Sequence, residues 1–268
     1  MPSNAKGVAL ITGASTGIGA VYADRLARRG HDLILVARDG RRMEAIAARL
    51  GAETGRAIEV QPTDLANPVD LTKVEARLSN DPAITMLVNN AGVSLNGGLV
   101  ENSADELMKL IAINITAPTV LAAAATKAFV KREAGAIINI ASVLALAPEL
   151  LEGAYSGSKA YLLNLSLKLA LDVEAAGVRV QAVLPGATRT EIWERSGKDV
   201  DALLPGMVMG VGDLVDAALV GFDRGEVVTI PPLADERLWR AYNEARLALA
   251  PHLSRQEVAS RYRHAMPV

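Results

Sequence analysis

Short apolar runs alternate along the chain with longer segments of helical periodicity. The apolar runs are rich in Val and Ile and show little polar alternation, which is typical of parallel strands covered on both faces. They are Val8–Ile11, Leu33–Val36, Ile58–Val60, Met86–Val88, Ala136–Ile140 and Val178–Leu184. Helical stretches lie between them, including Ala20–Arg29, Arg41–Leu50 and Leu107–Arg132. The alternation predicts βαβ units and an α/β fold with a doubly wound parallel sheet, flanked by helices on both faces.

No repeat, low-complexity tract or linker composition divides the 268 residues, so a single domain is expected. Residues 186–212 contain several glycines and Pro205, and are interpreted as a substrate-lid insertion of loop and short helix. Val227–Ile230 is a candidate for one more strand. The tail, about 235–268, is charged and helical in character, and its role stays open.

Composition and charge narrow the class of protein. Aromatic residues are only 3% of the chain while hydrophobic residues are 50%, so the core must be aliphatic. The net charge of −2 and the absence of a basic block argue against nucleic acid as a partner. Without cysteine, disulfides and thiolate chemistry are excluded, and the scattered His31, His252 and His264 predict no metal site.

The N-terminus and the apolar runs bear on location. Met1–Lys6 is short, polar and directly followed by a strand-like run, which leaves no room for a signal peptide. No apolar run is expected to reach the length of a membrane span. A cytoplasmic protein with no membrane partner is therefore expected.

A glycine-rich turn follows the first strand at Thr12–Gly19. Three glycines at this spacing are weak evidence alone, because an ordinary turn between strand and helix is the alternative. The buried strand before it and the amphipathic helix after it favour a Rossmann-type dinucleotide site, in which backbone approaches the pyrophosphate at a helix N-terminus. The candidate contacts are Gly13, Ser15, Thr16, Gly17, Ile18 and Gly19.

The end of the second strand bears on which dinucleotide binds. An acidic residue there would accept hydrogen bonds from the ribose hydroxyls of NAD. The strand ends Val36-Ala37-Arg38-Asp39, so the acidic position is neutral and Arg38 can pair with a 2′-phosphate. Asp39 complicates this interpretation, and a solvated Arg38 is the alternative. The sequence favours NADP(H) over NAD(H).

Tyr155 and Lys159 begin an apolar helical pattern that runs to about Ala176. A spacing of four places both side chains on one helix face, one turn apart. A tyrosine pKa near 10 is too high for acid–base catalysis at neutral pH, and a nearby ammonium lowers it. A lone Tyr-x-x-x-Lys is more often a partly buried tyrosine beside a surface lysine, so the surrounding residues decide the interpretation.

Polar residues in three other segments support a functional interpretation of this pair. Ser142 ends the strand before it, at the carboxyl edge where open α/β sheets bind ligands. Asn89–Gly92 follows another strand to the same edge. Asn114 lies in a helix between Ile113 and Ile115, where its side chain must find a hydrogen-bond partner.

Together these segments resemble the single-domain branch of the short-chain dehydrogenase/reductase family. The resemblance runs from Gly7 to about Thr190 in matching order and spacing. The motifs that carry it are Thr12–Gly19, Asp64, Asn89–Gly92, Asn114, Ser142, Tyr155, Lys159 and Pro185-Gly186.

The resemblance implies roles for the catalytic candidates Asn114, Ser142, Tyr155 and Lys159. Tyr155 is implied to donate or accept the proton, and Ser142 to hold the reacting oxygen. Lys159 is implied to bind the nicotinamide ribose and lower the tyrosine pKa, while Asn114 helps to place a proton-relaying water.

The resemblance also implies cofactor contacts along the later strands. Asp64 is implied to contact adenine, and either Thr190 or Thr188 the carboxamide. One departure bears on cofactor choice, because many NADP-preferring members have a basic residue where this chain has Thr16. The further cofactor candidates are Leu65, Asn90, Ala91, Gly92, Tyr155, Lys159, Pro185 and Gly186.

The expected activity is NADP(H)-dependent interconversion of a carbonyl and a secondary alcohol by hydride transfer. A non-catalytic NADP-binding regulator and an isomerase or dehydratase on the same fold are the alternatives. By analogy with the family, a homodimer or homotetramer is expected. The small-molecule substrate stays open, because the candidate pocket residues are equally compatible with ordinary core positions. They are Leu144, Leu146, Leu150, Leu151, Trp193, Leu203, Leu204, Met207 and Met209.

Overall fold

Seven parallel strands form a sheet in the order β3-β2-β1-β4-β5-β6-β7. The computed structural model describes residues 6–150, 153–190 and 205–263. The strands are β1 Val8–Thr12, β2 Asp32–Ala37, β3 Ile58–Pro62, β4 Ile84–Asn89, β5 Gly135–Ile140, β6 Val178–Val183 and β7 Val228–Thr229. Strand order reverses between β1 and β4, and such a switch point opens a crevice at the carboxyl ends of the strands. The predicted fold class is confirmed.

Helices cover both faces of the sheet. In the first part of the described chain they are α1 Gly17–Arg28, α2 Gly40–Thr54, α3 Pro68–Asn80, α4 Ala104–Ile111, α5 Ala117–Arg132, α6 Gly153–Val173 and α7 Val211–Asp223, and a further helix, α8 Glu236–Leu249, follows later in the chain. Successive residues of β1 show the two-sided burial, since Ile11 packs with α1, α2 and α7 while Leu10 packs with α3 and α5. Continuous apolar runs suit the central strands, which are buried on both faces, whereas the edge strand β3 exposes Glu59 and Pro62.

Local sequence fixes where several helices begin. Asp39 caps α2 by accepting a hydrogen bond from the Arg42 amide. Asn67 caps α3, with Pro68 in the first turn. Ser103 and Glu106 form a reciprocal capping box at α4. These caps satisfy backbone donors that would otherwise have no partner in the helix.

The helical run Ala104–Arg132 is α-helical except for one turn. It joins α4 to α5 through a π-helical turn at Ala112–Thr116, which contains Asn114. By length and composition this run could cross a membrane, so the expectation that no apolar run is long enough was wrong. This is weak evidence for a span, because α5 buries Leu121 and Phe129 in the core as a helix of a globular fold does.

The chain separates into two compact units, one ending at Pro232 and the other beginning at Leu233. The second unit contains α8, and none of its residues 233–263 is buried. The single-domain organisation stays a prediction. Of the expected lid, residues 191–204 lie outside the described part of the chain. In the described flanks of the predicted lid, the Arg189 amide donates to the Met209 carbonyl and the Met209 amide donates to the Ala187 carbonyl.

Candidate active site

A groove of about 650 Å³ lies at the carboxyl ends of the strands. It brings together residues that are far apart in the chain, as the sequence analysis predicted. The predicted residues that line it are Gly13, Ser15, Thr16, Gly17, Ile18, Arg38, Asp64, Leu65, Asn90, Ala91, Gly92, Ser142, Tyr155, Lys159, Pro185, Gly186, Thr188 and Thr190. Gly19 and Asn114 were also predicted as site residues but are not among those lining the groove.

The N-terminus of α1 opens onto this groove at Thr16 and Gly17. Neither a side-chain cap nor an acidic residue occupies its first turn. Gly13 and Gly17 have φ of +65° and +54°, values that residues other than glycine rarely adopt. Free amide groups and the positive end of the helix dipole therefore face the groove, which suits a phosphate.

Thr12 and Asn90 hold the glycine-rich turn against the end of β4. The Thr12 hydroxyl accepts hydrogen bonds from the Asn90 and Ala91 amides, at 2.9 and 3.0 Å. The Asn90 side chain donates to the carbonyls of Thr12 and Gly13, at 2.9 and 3.2 Å. Asn90 therefore fixes the shape of the turn through its side chain, in addition to lining the groove.

The absence of a side chain at Gly19 lets α1 pack directly against the glycine-rich turn. A Cβ at this position would lie 2.3 Å from the Gly13 carbonyl oxygen and 2.5 Å from the Asn90 amide nitrogen. Gly19 therefore lies beneath the groove, where it lets α1 approach the turn closely. This position explains why it does not line the surface of the groove.

Replacing Gly19 with Ala is expected to destabilise the fold by about 2 kcal/mol, because a backbone carbonyl must move to make room. Binding of NADPH, measured by nucleotide fluorescence, should weaken at least about tenfold as the turn shifts. Gly157→Ala is the matched control, since a Cβ there meets nothing within 4 Å. An unchanged melting temperature and affinity in Gly19→Ala would contradict this spacing role.

Arg38 lines the groove directly after the buried Ala37, the last residue of β2. Its side chain is exposed, and its guanidinium forms no ion pair or hydrogen bond with another residue of the described ranges. Asp64 also lines the groove and accepts a hydrogen bond from the Ala66 amide at 3.0 Å. An unengaged guanidinium at this place can bind an anion.

Lys159 lies one turn after Tyr155 on α6, as the spacing predicted. Its side chain is buried, and its Nζ donates a 2.9 Å hydrogen bond to the Ile140 carbonyl at the end of β5. The Nζ lies 5.5 Å from the centroid of the Tyr155 ring. Burial lowers the pKa of Lys159 to about 8, because the desolvated ammonium is disfavoured.

Asn114 finds its partners inside the fold. Its Oδ1 accepts from the Val93 amide and its Nδ2 donates to the Val93 carbonyl, both at 2.9 Å. The Nδ2 also donates to Ser158 Oγ, whose hydroxyl donates to the Tyr155 carbonyl. The side chain of Asn114 therefore ties the loop after β4 to the helix that bears Tyr155.

Ser142 lies two residues after the end of β5, where it lines the groove and caps a short 3-10 turn. Its hydroxyl oxygen accepts a 3.2 Å hydrogen bond from the Leu144 amide. That bond leaves the hydroxyl proton available to a ligand oxygen.

Comparison with known proteins decides the family. The family model described as short chain dehydrogenase matches residues 7–201. The chain belongs to the short-chain dehydrogenase/reductase family. The resemblance drawn from the sequence motifs is confirmed.

Two solved structures resemble this short-chain dehydrogenase/reductase over most of its length. One is a short-chain dehydrogenase from Sphingobium yanoikuyae in complex with NADPH, 52% identical with a TM-score of 0.93, covering 96% of this chain and 100% of that one. The other is the bulky-bulky ketone specific alcohol dehydrogenase from Comamonas testosteroni, 46% identical with a TM-score of 0.88, covering 96% and 98%.

A curated relative is 17-beta-hydroxysteroid dehydrogenase type 3 of Homo sapiens, 34% identical over 184 residues. That match covers 68% of this chain and 59% of the human protein. The chain spans only about 60% of the length of the next relative as well.

Several groove residues of this short-chain dehydrogenase/reductase were missed from sequence. They are Thr63, Val93, Ile113, Ile140 and Ala141. Thr63 and Ala141 come directly after β3 and β5, so the carboxyl-end rule could have found them. Nothing in the local pattern marks Ile113, which reaches the groove through the π-helical turn.

The candidate pocket residues named from the sequence differ in their burial and in whether the structure describes them. Leu146 and Met209 pack against core clusters, so they are structural at least in part. Leu150 and Met207 are exposed, and Leu144 is half-buried beside Ser142. The other candidates, Leu151, Trp193, Leu203 and Leu204, lie outside the described residues.

Proposed function

We infer that this protein is an NADP(H)-dependent oxidoreductase that interconverts a ketone or aldehyde and a secondary alcohol. The observation that carries the inference is the placement of Tyr155, Lys159 and Ser142 on one groove, at the carboxyl ends of the strands. A cytoplasmic location and a homodimer or homotetramer are proposed with it, by analogy within the family.

Tyr155 holds the proton that moves in the reaction. Its phenol donates that proton to the carbonyl oxygen in reduction and takes it from the alcohol in oxidation. Lys159, buried one turn away, supplies a positive charge that favours the tyrosinate over the neutral phenol. The same residues serve both directions, because each proton step is reversible.

Ser142 orients the substrate oxygen. Its hydroxyl donates a hydrogen bond that stabilises negative charge as it develops on that oxygen. Asn114 supports the arrangement from behind, because its contacts with Val93 and Ser158 fix the helix that carries Tyr155.

The dinucleotide would be held along the rest of the groove, and when bound it supplies the hydride. The N-terminus of α1 suits its pyrophosphate, and Arg38 suits a 2′-phosphate. Lys159 would bind the nicotinamide ribose, and Thr188 or Thr190 its carboxamide. The NADPH bound to the Sphingobium yanoikuyae relative supports this choice of cofactor.

The proposed substrate is an apolar ketone with two bulky substituents. The name of the Comamonas testosteroni relative supports this class, and Val93 and Ile113 give the groove apolar lining. The test is a series of aryl ketones in which the second substituent grows from methyl to phenyl. Consumption of NADPH should show kcat/KM rising along the series, and a strong preference for the methyl ketone would contradict the proposed substrate class.

Replacing Arg38 with Asp is expected to shift preference toward NADH, because a carboxylate repels the 2′-phosphate and accepts hydrogen bonds from ribose hydroxyls. The ratio of kcat/KM for NADPH to that for NADH should fall at least about 100-fold. Arg41→Asp is the matched control for a general charge change on the neighbouring surface. An unchanged ratio in Arg38→Asp would show that Arg38 does not select the cofactor.

A further inference from the structure

An acidic residue, Asp39, lies next to Arg38 in the lining of the groove. A free carboxylate at this place would repel a 2′-phosphate and would also accept hydrogen bonds from ribose hydroxyls. If the protein selects NADPH, as proposed, another group must compensate the negative charge of Asp39.

Both oxygens of the Asp39 carboxylate are engaged by Arg42. Oδ1 accepts a hydrogen bond from the Arg42 amide at 3.1 Å, as the cap of α2. Oδ2 lies 3.4 Å from Arg42 Nε in an ion pair. A single residue thus donates to one oxygen through its backbone and forms an ion pair with the other through its side chain.

The turn that carries Asp39 is packed in place. A Cβ on Gly40, the first residue of α2, would lie 3.1 Å from Pro62 Cγ at the end of β3. The close approach of these two segments restricts movement of the Asp39 backbone. The direction of its carboxylate therefore depends on Arg42 and on the cap.

We propose that Arg42 is a specificity-determining residue for the cofactor, acting through Asp39. Its guanidinium holds the carboxylate in the capping position and cancels its charge, so that Arg38 faces the 2′-phosphate without a competing acid. This proposal rests on the proposed use of NADPH. When the guanidinium is removed, the freed carboxylate repels a 2′-phosphate and offers acceptors to an unphosphorylated ribose.

The test uses nucleotide fragments, so that binding is measured apart from activity. Isothermal titration calorimetry compares 2′,5′-ADP, which carries the 2′-phosphate, with 5′-ADP, which lacks it. In Arg42→Gln, affinity for 2′,5′-ADP should fall roughly fivefold at low salt, with 5′-ADP within about twofold of the parent protein. The backbone cap is retained in this variant, and thermal melting checks its fold.

Three further variants separate the mechanism from a general charge effect. Arg41→Gln removes the same charge from the adjacent position and should weaken 2′,5′-ADP by less than about twofold. Arg42→Lys keeps the charge and should keep most of the preference. The double variant Asp39→Asn/Arg42→Gln should recover affinity for 2′,5′-ADP, because asparagine still caps the helix but carries no charge.

The outcomes distinguish failure of this proposal from failure of the proposed cofactor. If the parent protein prefers 2′,5′-ADP but Arg41→Gln and Arg42→Gln lower its affinity equally, the role of Arg42 is overturned and the cofactor stands. Failure of the double variant to recover affinity overturns the action through Asp39. If the parent protein shows no preference between the two fragments, both the cofactor choice and this proposal fall.

Discussion

Replacing Tyr155 with Phe is expected to lower kcat for ketone reduction by about 10³-fold while NADPH affinity stays within about twofold. The substitution removes only the hydroxyl that is proposed to exchange the proton, and the ring still lines the groove. Because the loss falls on the proton step, it should appear in kcat and not as a change in cofactor binding. Stopped-flow absorbance of the reduced nicotinamide, with fluorescence titration of NADPH, measures both.

Tyr161 on the same helix provides the matched control. Its hydroxyl is hydrogen-bonded to Thr119 at 2.9 Å, and its side chain is partly exposed. Tyr161→Phe should therefore keep full activity. Equal activity in Tyr155→Phe and the parent protein would remove Tyr155 from the reaction.

The parent protein in the same assay separates the alternative functions. Bound NADPH without turnover of any ketone in the series would favour a regulator that binds the dinucleotide. Product formation without net change in nicotinamide absorbance would favour an isomerase or dehydratase. Turnover that consumes NADPH supports the oxidoreductase.

Replacing Lys159 with Met is expected to abolish most of the activity and to stabilise the folded protein. Lys159 is buried, and its pKa falls from 10.5 to about 8, which corresponds to roughly 3 kcal/mol of cost for the buried ammonium. The hydrogen bond to the Ile140 carbonyl offsets part of this cost. The free energy of unfolding should thus rise by about 2 kcal/mol at pH 7 in Lys159→Met.

The pH dependence of this gain follows from proton binding. Between about pH 8 and pH 10.5 the unfolded chain keeps the lysine proton while the folded protein has lost it. Stability of the parent protein relative to Lys159→Met therefore rises across this window, and the advantage of the variant shrinks. Below pH 8 both states are protonated, so the advantage is constant.

Urea unfolding of both proteins at pH 7, 8, 9 and 10 checks the expectation. Lys168→Met, at an exposed position of the same helix, is the control for a charge removed from α6. A variant less stable than the parent protein at pH 7 would mean that the hydrogen bond to Ile140 outweighs desolvation. A gain that does not change between pH 8 and pH 10 would mean that Lys159 does not titrate there.

Local sequence determined much of this protein. Strand positions followed from apolar runs, because parallel strands covered on both faces need no polar alternation. The spacing of Tyr155 and Lys159 was enough to place both on one helix face, because side chains four residues apart share a face, and the motifs around them indicated their function. The glycines at Gly13 and Gly17 marked a turn with positive φ that other residues rarely adopt.

Tertiary structure decided what depends on residues distant in the chain. The burial of Lys159 and its bond to Ile140 require β5 to lie beneath α6, and that packing sets its pKa. Asn114 was expected to need a partner, but only the fold showed Val93 and Ser158 in that role. Contacts of this kind depend on how separate elements pack together, and the spacing of residues along one element does not predict that packing.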